Sequence, residues 1–283
     1  MENLLVNKVA AVKEVRQAAE YQKKKQACIL TGLAGSSKPV FFAAADKLLG
    51  GKGSMAFITA SREEIRTYRR ELNYLYPDLP MQELYPVSLP RVQADTQSLE
   101  LQAGRAAALR FLSGEERGIV FITAEALQQK QLRPSGMSGK ALQLAVGEEH
   151  EQRNIAAALL DLGYERTEQV DALGQFCLRG DILDVYPINS SAAVRIEWFD
   201  NELDAMRSFD VDSQRSLQTL TSIKIAPLKV DESFSYDADI FEYCAADTMV
   251  VVDEPVHVFG MLEKLDKENK EHASELFGKQ ELI

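Results

Sequence analysis

Hydrophobic and polar positions change rhythm twice along this chain. Up to about residue 135, short apolar runs alternate with segments of helical spacing. Residues 8–25 read as one helix ending in lysines, which suits the negative end of its dipole. Ala27–Thr31 is an apolar run that predicts a short buried strand, and Val40 to Leu49 predicts a helix. Ser54–Thr59 and Gly118–Thr123 read as further buried strands, and Met81–Tyr85 as a candidate strand. Ser61 with Glu64 spells a capping box ahead of a helix over Arg62–Leu75. Pro86 to Ala94 reads as a loop, Asp95 as the cap of a helix reaching Leu112, and Ala124–Gln131 as a short helix. Strands that alternate with helices predict a parallel α/β sheet.

After the linker signal Arg133-Pro134-Ser135-Gly136, strands cluster instead. Lys140–Val146 predicts a strand, and Glu148–Leu162 a helix with Ile155, Leu159 and Leu162 on one face. Tyr164–Val170 follows, and then hairpins. Gly180-Asp181 separates Phe176–Arg179 from Ile182–Tyr186, and Pro187, with no N–H to give a ladder, stops the second run. Val194–Phe199 alternates, with Asp200-Asn201 as a hairpin turn. Alternation puts Val194, Ile196 and Trp198 on one face and Arg195, Glu197 and Phe199 on the other. Leu203 and Met206 do not share a strand face, which predicts a bulge or bend. From Ala226 the first rhythm returns. Asp237–Ala245 reads as a helix, and Thr248–Val252 as a buried strand running into Asp253-Glu254, Pro255 and another helix. The reading is an α/β domain in two parts, 1–135 and 226–283, with an α+β domain inserted over 136–225.

Composition narrows the function classes. A net charge of −11 disfavours wholesale binding to nucleic acid, which needs excess Lys and Arg. Cys28, Cys177 and Cys244 are far apart, odd in number and without zinc spacing, as expected in a reducing cytosol. His150, His257 and His272 are scattered too, so no metal cluster is visible. No apolar run is long enough to span a membrane, and no cleavable apolar leader is visible. The charged, helical stretch before Ile283 lacks a terminal device, which suggests a piece of a longer protein.

One motif concerns phosphate chemistry. Ala27–Thr31, then Gly32-Leu33-Ala34-Gly35-Ser36-Ser37-Lys38-Pro39, then a helix, is the layout of a phosphate-binding loop. The match is broken. Ser37 stands where the second glycine belongs and resists positive φ. Pro39 stands where a metal-binding hydroxyl belongs and supplies neither hydroxyl nor N–H. Asp253-Glu254 after an apolar strand is similar to the acidic element that orders Mg²⁺ and polarises water in nucleotide hydrolases, but here it has no intact loop to serve. Capping of the following helix is the expected role of these two acids.

The hairpin region carries a longer resemblance. Gly174-x-Phe176, Arg179-Gly180-Asp181-Ile182-Leu183-Asp184, Tyr186-Pro187, Arg195-Ile196-Glu197-x-Phe199, Arg207-x-Phe209-Asp210 and Gln214-Arg215-Ser216 resemble the domain shared by UvrB and the bacterial transcription-repair coupling factors. That domain docks onto UvrA. Where UvrB inserts a tyrosine-rich hairpin that clamps DNA, this chain crosses with Val87-Ser88-Leu89-Pro90-Arg91-Val92-Gln93, as in the coupling-factor branch. The resemblance implies a degenerate P-loop, RecA-like domain with an inserted UvrA-docking domain. It also implies that the module itself is no enzyme and needs no cofactor. ATP, Mg²⁺, RNA polymerase and double-stranded DNA belong to other domains of the full protein. The implied UvrA contacts are Arg179, Arg195 and Phe199, with Arg207, Glu197 and Asp184 behind them. Side-chain chemistry agrees, since an exposed aromatic beside arginines is a usual interface anchor. Two rival readings stand: a residual nucleotide-binding or ATPase domain built on Lys38 and Asp253-Glu254, and a UvrB fragment that binds damaged DNA. Ser37 and Pro39 argue against the first, the missing hairpin and the acidic charge against the second.

Overall fold

The computed structural model describes residues 4–87, 99–133, 141–228 and 236–282. The expected loop and helix cap at residues 88–98 and the linker at 134–136 lie outside them. In chain order the helices are α1 (Leu4–Ala10), α2 (Lys13–Lys23), α3 (Ser37–Leu48), α4 (Arg62–Leu75), α5 (Leu99–Ser113), α6 (Ala124–Gln128), α7 (Gln152–Asp161), α8 (Pro255–Glu268) and α9 (Lys279–Leu282). The strands up to the central hairpins are β1 (Met55–Thr59), β2 (Met81–Leu84), β3 (Ile119–Thr123), β4 (Gln131–Leu132), β5 (Leu142–Ala145), β6 (Glu165–Arg166), β7 (Gln175–Arg179) and β8 (Ile182–Val185). They continue as β9 (Ala193–Phe199), β10 (Glu202–Phe209), β11 (Ser216–Leu220), β12 (Ser222–Ile225), β13 (Tyr236–Ala238) and β14 (Met249–Val252).

The chain divides into two compact units. One comprises Met1–Val87, Ala108–Gln129 and Asp239–Ile283. Its centre is a four-stranded parallel sheet in the order β14-β1-β3-β2. Every residue of β1 and β3 is buried, as continuous apolar runs in a doubly covered parallel sheet should be. Alternation sends Met55, Phe57, Ile119, Phe121, Met249 and Val251 to one face, under α1, α3 and α4. Ala56, Ile58, Val120 and Ile122 go to the other, against Phe111 and Leu112 of α5 and Val258 and Leu262 of α8. The capping box of Ser61 and Glu64 starts α4 as expected.

Three local expectations are corrected. Residues 8–25 are not one helix, because Val12 turns extended (φ −68°, ψ 138°) and lets α1 and α2 bury separate apolar faces. Both pack on α3. Ala27–Thr31 is not a strand: it has no ladder partner among the described residues, and Ile29 is 91% exposed. Asp237–Ala245 is not a helix. Residues 236–238 pair with β4, and Asp239 then accepts from the Phe241 and Glu242 amides to start a single 3₁₀ turn, Ile240–Tyr243.

The second unit comprises Ser88–Ala107 and Lys130–Ala238. It holds a six-stranded sheet in the order β11-β10-β9-β8-β7-β6, antiparallel except for β6 beside β7. Two small antiparallel pairs, β5 with β12 and β4 with β13, complete it. One face of the large sheet is core: Phe176, Leu183, Val185, Val194, Ile196, Trp198, Leu203 and Met206 close on Ile155 and Leu159 of α7. The predicted bulge is present, as a register shift between Leu203 and Ala205 that returns Met206 to the buried face. The predicted turns hold as well. Gly180 (φ 57°) links β7 to β8, and Asp200 (φ 55°) with Asn201 links β9 to β10.

Burial on the two faces of β9 predicts opposite responses to truncation. Ile196→Ala, at a fully buried site, should cost about 2–5 kcal/mol in a denaturant melt. Phe199→Ala, on the exposed face, should stay within about 0.5 kcal/mol.

Candidate functional site

The face of the six-stranded sheet turned away from α7 carries a polar row. Pairing registers set Cys177 beside Asp184, Asp184 beside Arg195, Arg195 beside Arg207, and Arg207 beside Thr219. The next row toward the hairpin ends holds Arg179, Ile182 and Glu197, and Phe199 lies beyond. Period-2 alternation on adjacent strands therefore gathers all six predicted contact residues, Arg179, Asp184, Arg195, Glu197, Phe199 and Arg207, on one surface.

Asp184 is the centre of this surface. Its side chain is only 3% exposed, and a buried carboxylate needs partners to stay charged. Arg195 supplies them through a forked pair, with Nε donating to Oδ1 at 2.6 Å and Nη2 to Oδ2 at 2.8 Å. Arg179 Nη2 adds a longer contact to Oδ2 at 3.4 Å. Arg195 also donates to Gln214 Oε1 at 3.1 Å and lies over the Phe209 ring, 4.7 Å from its centre. The bonds to Asp184 hold the Arg195 guanidinium above its ordinary pKa. Gln214 sits at φ 58° in the turn between β10 and β11, so the guanidinium ties that turn to the sheet. Alongside, Arg207 Nη2 meets Glu197 Oε1 at 2.5 Å. A small apolar cluster, Val170, Cys177, Ala193 and Phe209, closes the rest of this face.

The six residues thus divide by what each exposes. Phe199 is 73% exposed and Arg179 keeps 57% of its side chain in solvent. Glu197 and Arg207 are paired with each other and about a third exposed. Arg195 is mostly covered and Asp184 is buried, so Asp184 does not reach the surface as a contact. Arg179 and Arg207 take Asp184 and Glu197 as partners rather than the sequence neighbours Asp181 and Asp204. Sequence reasoning missed Gln214 as a partner of Arg195. The only signal for the role of Asp184 was an acid inside the apolar run Ile182-Leu183-Asp184-Val185.

The degenerate phosphate loop has a different fate. Gly32 and Gly35 adopt positive φ (82° and 51°), while Ser37 and Pro39 lie inside the first turn of α3. The Ser37 hydroxyl donates to Ala34 O at 2.7 Å and accepts from Ala34 N at 2.9 Å, which closes the loop on itself. Lys38 Nζ donates to Asp253 Oδ1 and to Glu254 Oε1, both at 2.7 Å. Burial works against the charge on Lys38, but these two acids outweigh it and raise its pKa. The Lys38 bond in turn lowers that of Glu254. Glu254 occupies the left-handed region (φ 42°, ψ 67°) and gives α8 no side-chain cap, so the expected capping role is corrected to an ion-pair role. The Tyr68 hydroxyl is buried here with no hydrogen-bond partner among the described residues, and burial, helped by the nearby Asp253 carboxylate, pushes its pKa up. One ammonium against two carboxylates leaves this corner with a net negative charge, which is the wrong sign for a phosphate.

Two outcomes follow. Arg195→Ala strands the buried Asp184 carboxylate and should destabilise the chain by on the order of 3 kcal/mol in a denaturant melt. Lys38→Ala should raise the Glu254 pKa, read by NMR titration of its carboxylate. Because the folded pKa is depressed below 4.5, the contact stabilises above that pH and is lost as pH falls through the lowered value.

Residues 142–230 match the family model described as the UvrB interaction domain. The chain is 36% identical over 203 residues to the transcription-repair-coupling factor of Bacillus subtilis (strain 168), a match covering 71% of this chain and 17% of that protein. It is 31% identical over 202 residues to that of Staphylococcus haemolyticus, with 71% and 17% covered. Against that of Escherichia coli (strain K12) it is 28% identical over 165 residues, with 58% and 14% covered. The chain therefore spans under a fifth of the length of these relatives. Residues 142–230 are a UvrB interaction domain, and over most of its length the chain matches the N-terminal UvrB-like module of the transcription-repair-coupling factors.

Proposed function

We propose that this chain is a non-catalytic adaptor that recruits UvrA to stalled RNA polymerase in transcription-coupled excision repair, by presenting the surface that UvrB uses. The observation that carries this reading is the outer face of the six-stranded sheet, where an exposed Phe199 projects beside arginines held by a buried carboxylate. Its residues lie inside the UvrB interaction domain. Phe199 is the apolar anchor, and Arg179 the guanidinium free enough to fork onto a partner's carboxylate. Glu197 and Arg207 form the polar rim. Arg195 sets the geometry, and Asp184 acts through it.

In this reading the other unit, a degenerate P-loop domain, is a scaffold into which the docking domain (about 136–225) is inserted. Gly32, Gly35, Ser37, Lys38, Pro39, Asp253 and Glu254 retain the outline of a nucleotide site without its chemistry. Ser37 and Pro39 remove phosphate and metal contacts, and Lys38 is committed to two acids. These residues do not fit ATP or Mg²⁺. On this reading, ATP and Mg²⁺ chemistry and contacts with RNA polymerase and double-stranded DNA would fall to other domains of a longer protein.

Calorimetry with UvrA tests the reading. Phe199→Ala and Arg179→Ala should each weaken binding about thirtyfold, on the order of 2 kcal/mol, in variants that remain folded. Leu217→Ala, exposed on the edge strand β11, should leave affinity unchanged. Equal affinity for wild type and Phe199→Ala would overturn the assignment. The chain should hydrolyse no ATP above background, and turnover abolished by Lys38→Ala would contradict the non-catalytic claim.

A further inference from the structure

The parallel-sheet unit has a second polar centre, at the end of the sheet opposite Lys38 and Asp253. β1 starts at Met55 and β3 at Ile119, and the segments that lead into them bring Gly50, Gly51 and Arg117 together. With parts of α1 and α3 and the end of α4, they line a cavity of about 300 Å³. That volume is at the lower end of the range for small-molecule sites. Val6, Ala43 and Leu75 give it apolar walls.

Asp46 is the anomaly in this cavity. It lies near the C-terminus of α3, where the helix dipole disfavours a negative charge, yet its side chain is only 8% exposed. Arg117 Nη2 and the Tyr76 hydroxyl both donate to Asp46 Oδ2, each at 2.8 Å. Burial and the Asp46 charge push the Tyr76 pKa up, so its hydroxyl stays a donor. Arg117 Nε is taken by the Gly53 carbonyl at 3.1 Å, and the guanidinium lies over the Tyr76 ring, 5.8 Å from its centre. Two groups are left over. Among the described residues Asp46 Oδ1 accepts no hydrogen bond and Arg117 Nη1 donates none, and neither atom is sealed from solvent. Gly51 stands beside the pair: a Cβ there would come to 3.9 Å from both Arg117 Nη2 and Asp46 Oδ2.

The leftover groups select a ligand class. A cation would meet Arg117 and Lys47, which also lines the cavity. An anion would meet the lone pairs of Asp46 Oδ1. A neutral group with an N–H donor and an acceptor on one edge meets neither penalty and satisfies both leftovers. A flat ring also suits apolar walls and a tyrosine–guanidinium pair on which it can stack. We propose that this cavity binds a neutral nucleobase, free or as a nucleoside, whose amino N–H donates to Asp46 Oδ1 and whose neighbouring ring nitrogen accepts from Arg117 Nη1. Carboxylates and arginines read base edges through the same donor and acceptor pattern. A nucleic-acid strand is not the ligand, because a chain with a net charge of −11 disfavours a phosphate backbone. The site is separate from the degenerate phosphate loop and does not rest on the docking role of the other unit.

An amide NMR titration of the whole chain with cytidine and with adenosine tests it. Both should give saturable shifts at the Gly50, Gly51, Tyr76 and Arg117 amides. Analogues with a dimethylamino group in place of the amino group lack the N–H donor and should bind roughly tenfold weaker or worse. Arg117→Lys keeps the positive charge beside Asp46 but has no Nη1, and should weaken binding by a similar factor. The absence of saturable shifts at about 10 mM nucleoside would overturn the proposal. So would shifts centred on Gly32 to Lys38, or equal affinity for the dimethylamino analogues. Should Arg117→Lys not fold, the comparison of nucleosides and analogues on wild type decides.

Discussion

The outer face of the six-stranded sheet depends on one buried ion pair, the Asp184 carboxylate held by the fork of Arg195. A carboxylate this buried is unfavourable unless both oxygens are engaged, and both are. The pair fixes β8 against β9. Through Gln214 and the Phe209 ring it also fixes the turn after β10. A side chain pinned at four points loses little freedom when a partner arrives, and neighbouring Phe199 is carried on a strand whose other face is fully packed. The proposed anchor therefore rests on a rigid support built from charge on one side and apolar packing on the other.

The two sheets solve different problems with the same period-2 alternation. In the parallel sheet both faces are apolar, and helices cover both. The buried polar side chains of this sheet, Thr59, Thr123 and Glu83, lie at or next to the C-terminal ends of their strands, and beyond the end of β14 Lys38 is paired with Asp253 and Glu254. In the antiparallel sheet only one face is core, which leaves the other free to carry arginines and an aromatic. The proposed division of labour, a scaffold on one side and a presenting surface on the other, rests on that difference in cover.

Legibility in the sequence followed how local the physics is. The capping box at Ser61 and Glu64, the turns at Gly180 and Asp200, and the faces of Val194–Phe199 are set by neighbours in sequence, and the structure has them as expected. The bulge after Leu203 was legible because two residues that must both be buried were out of phase. Features that depend on distant partners were not. The helix break at Val12 arises from packing on α3. Glu254 reads as a helix cap from its neighbours, but Lys38, 216 positions away, claims it. Ala27–Thr31 has strand composition, yet pairing requires an edge that composition does not specify. On the candidate face, the alternation showed which residues share a surface, but not that Asp184 would be its buried hub. That role requires knowing which strands lie side by side.

The most direct test of the account is a hydrogen-exchange footprint of the chain with and without UvrA. The account predicts new protection over 176–185 and 194–207, centred on Arg179 and Phe199. Protection confined to the parallel-sheet unit, or none on the outer face at saturating UvrA, would contradict it.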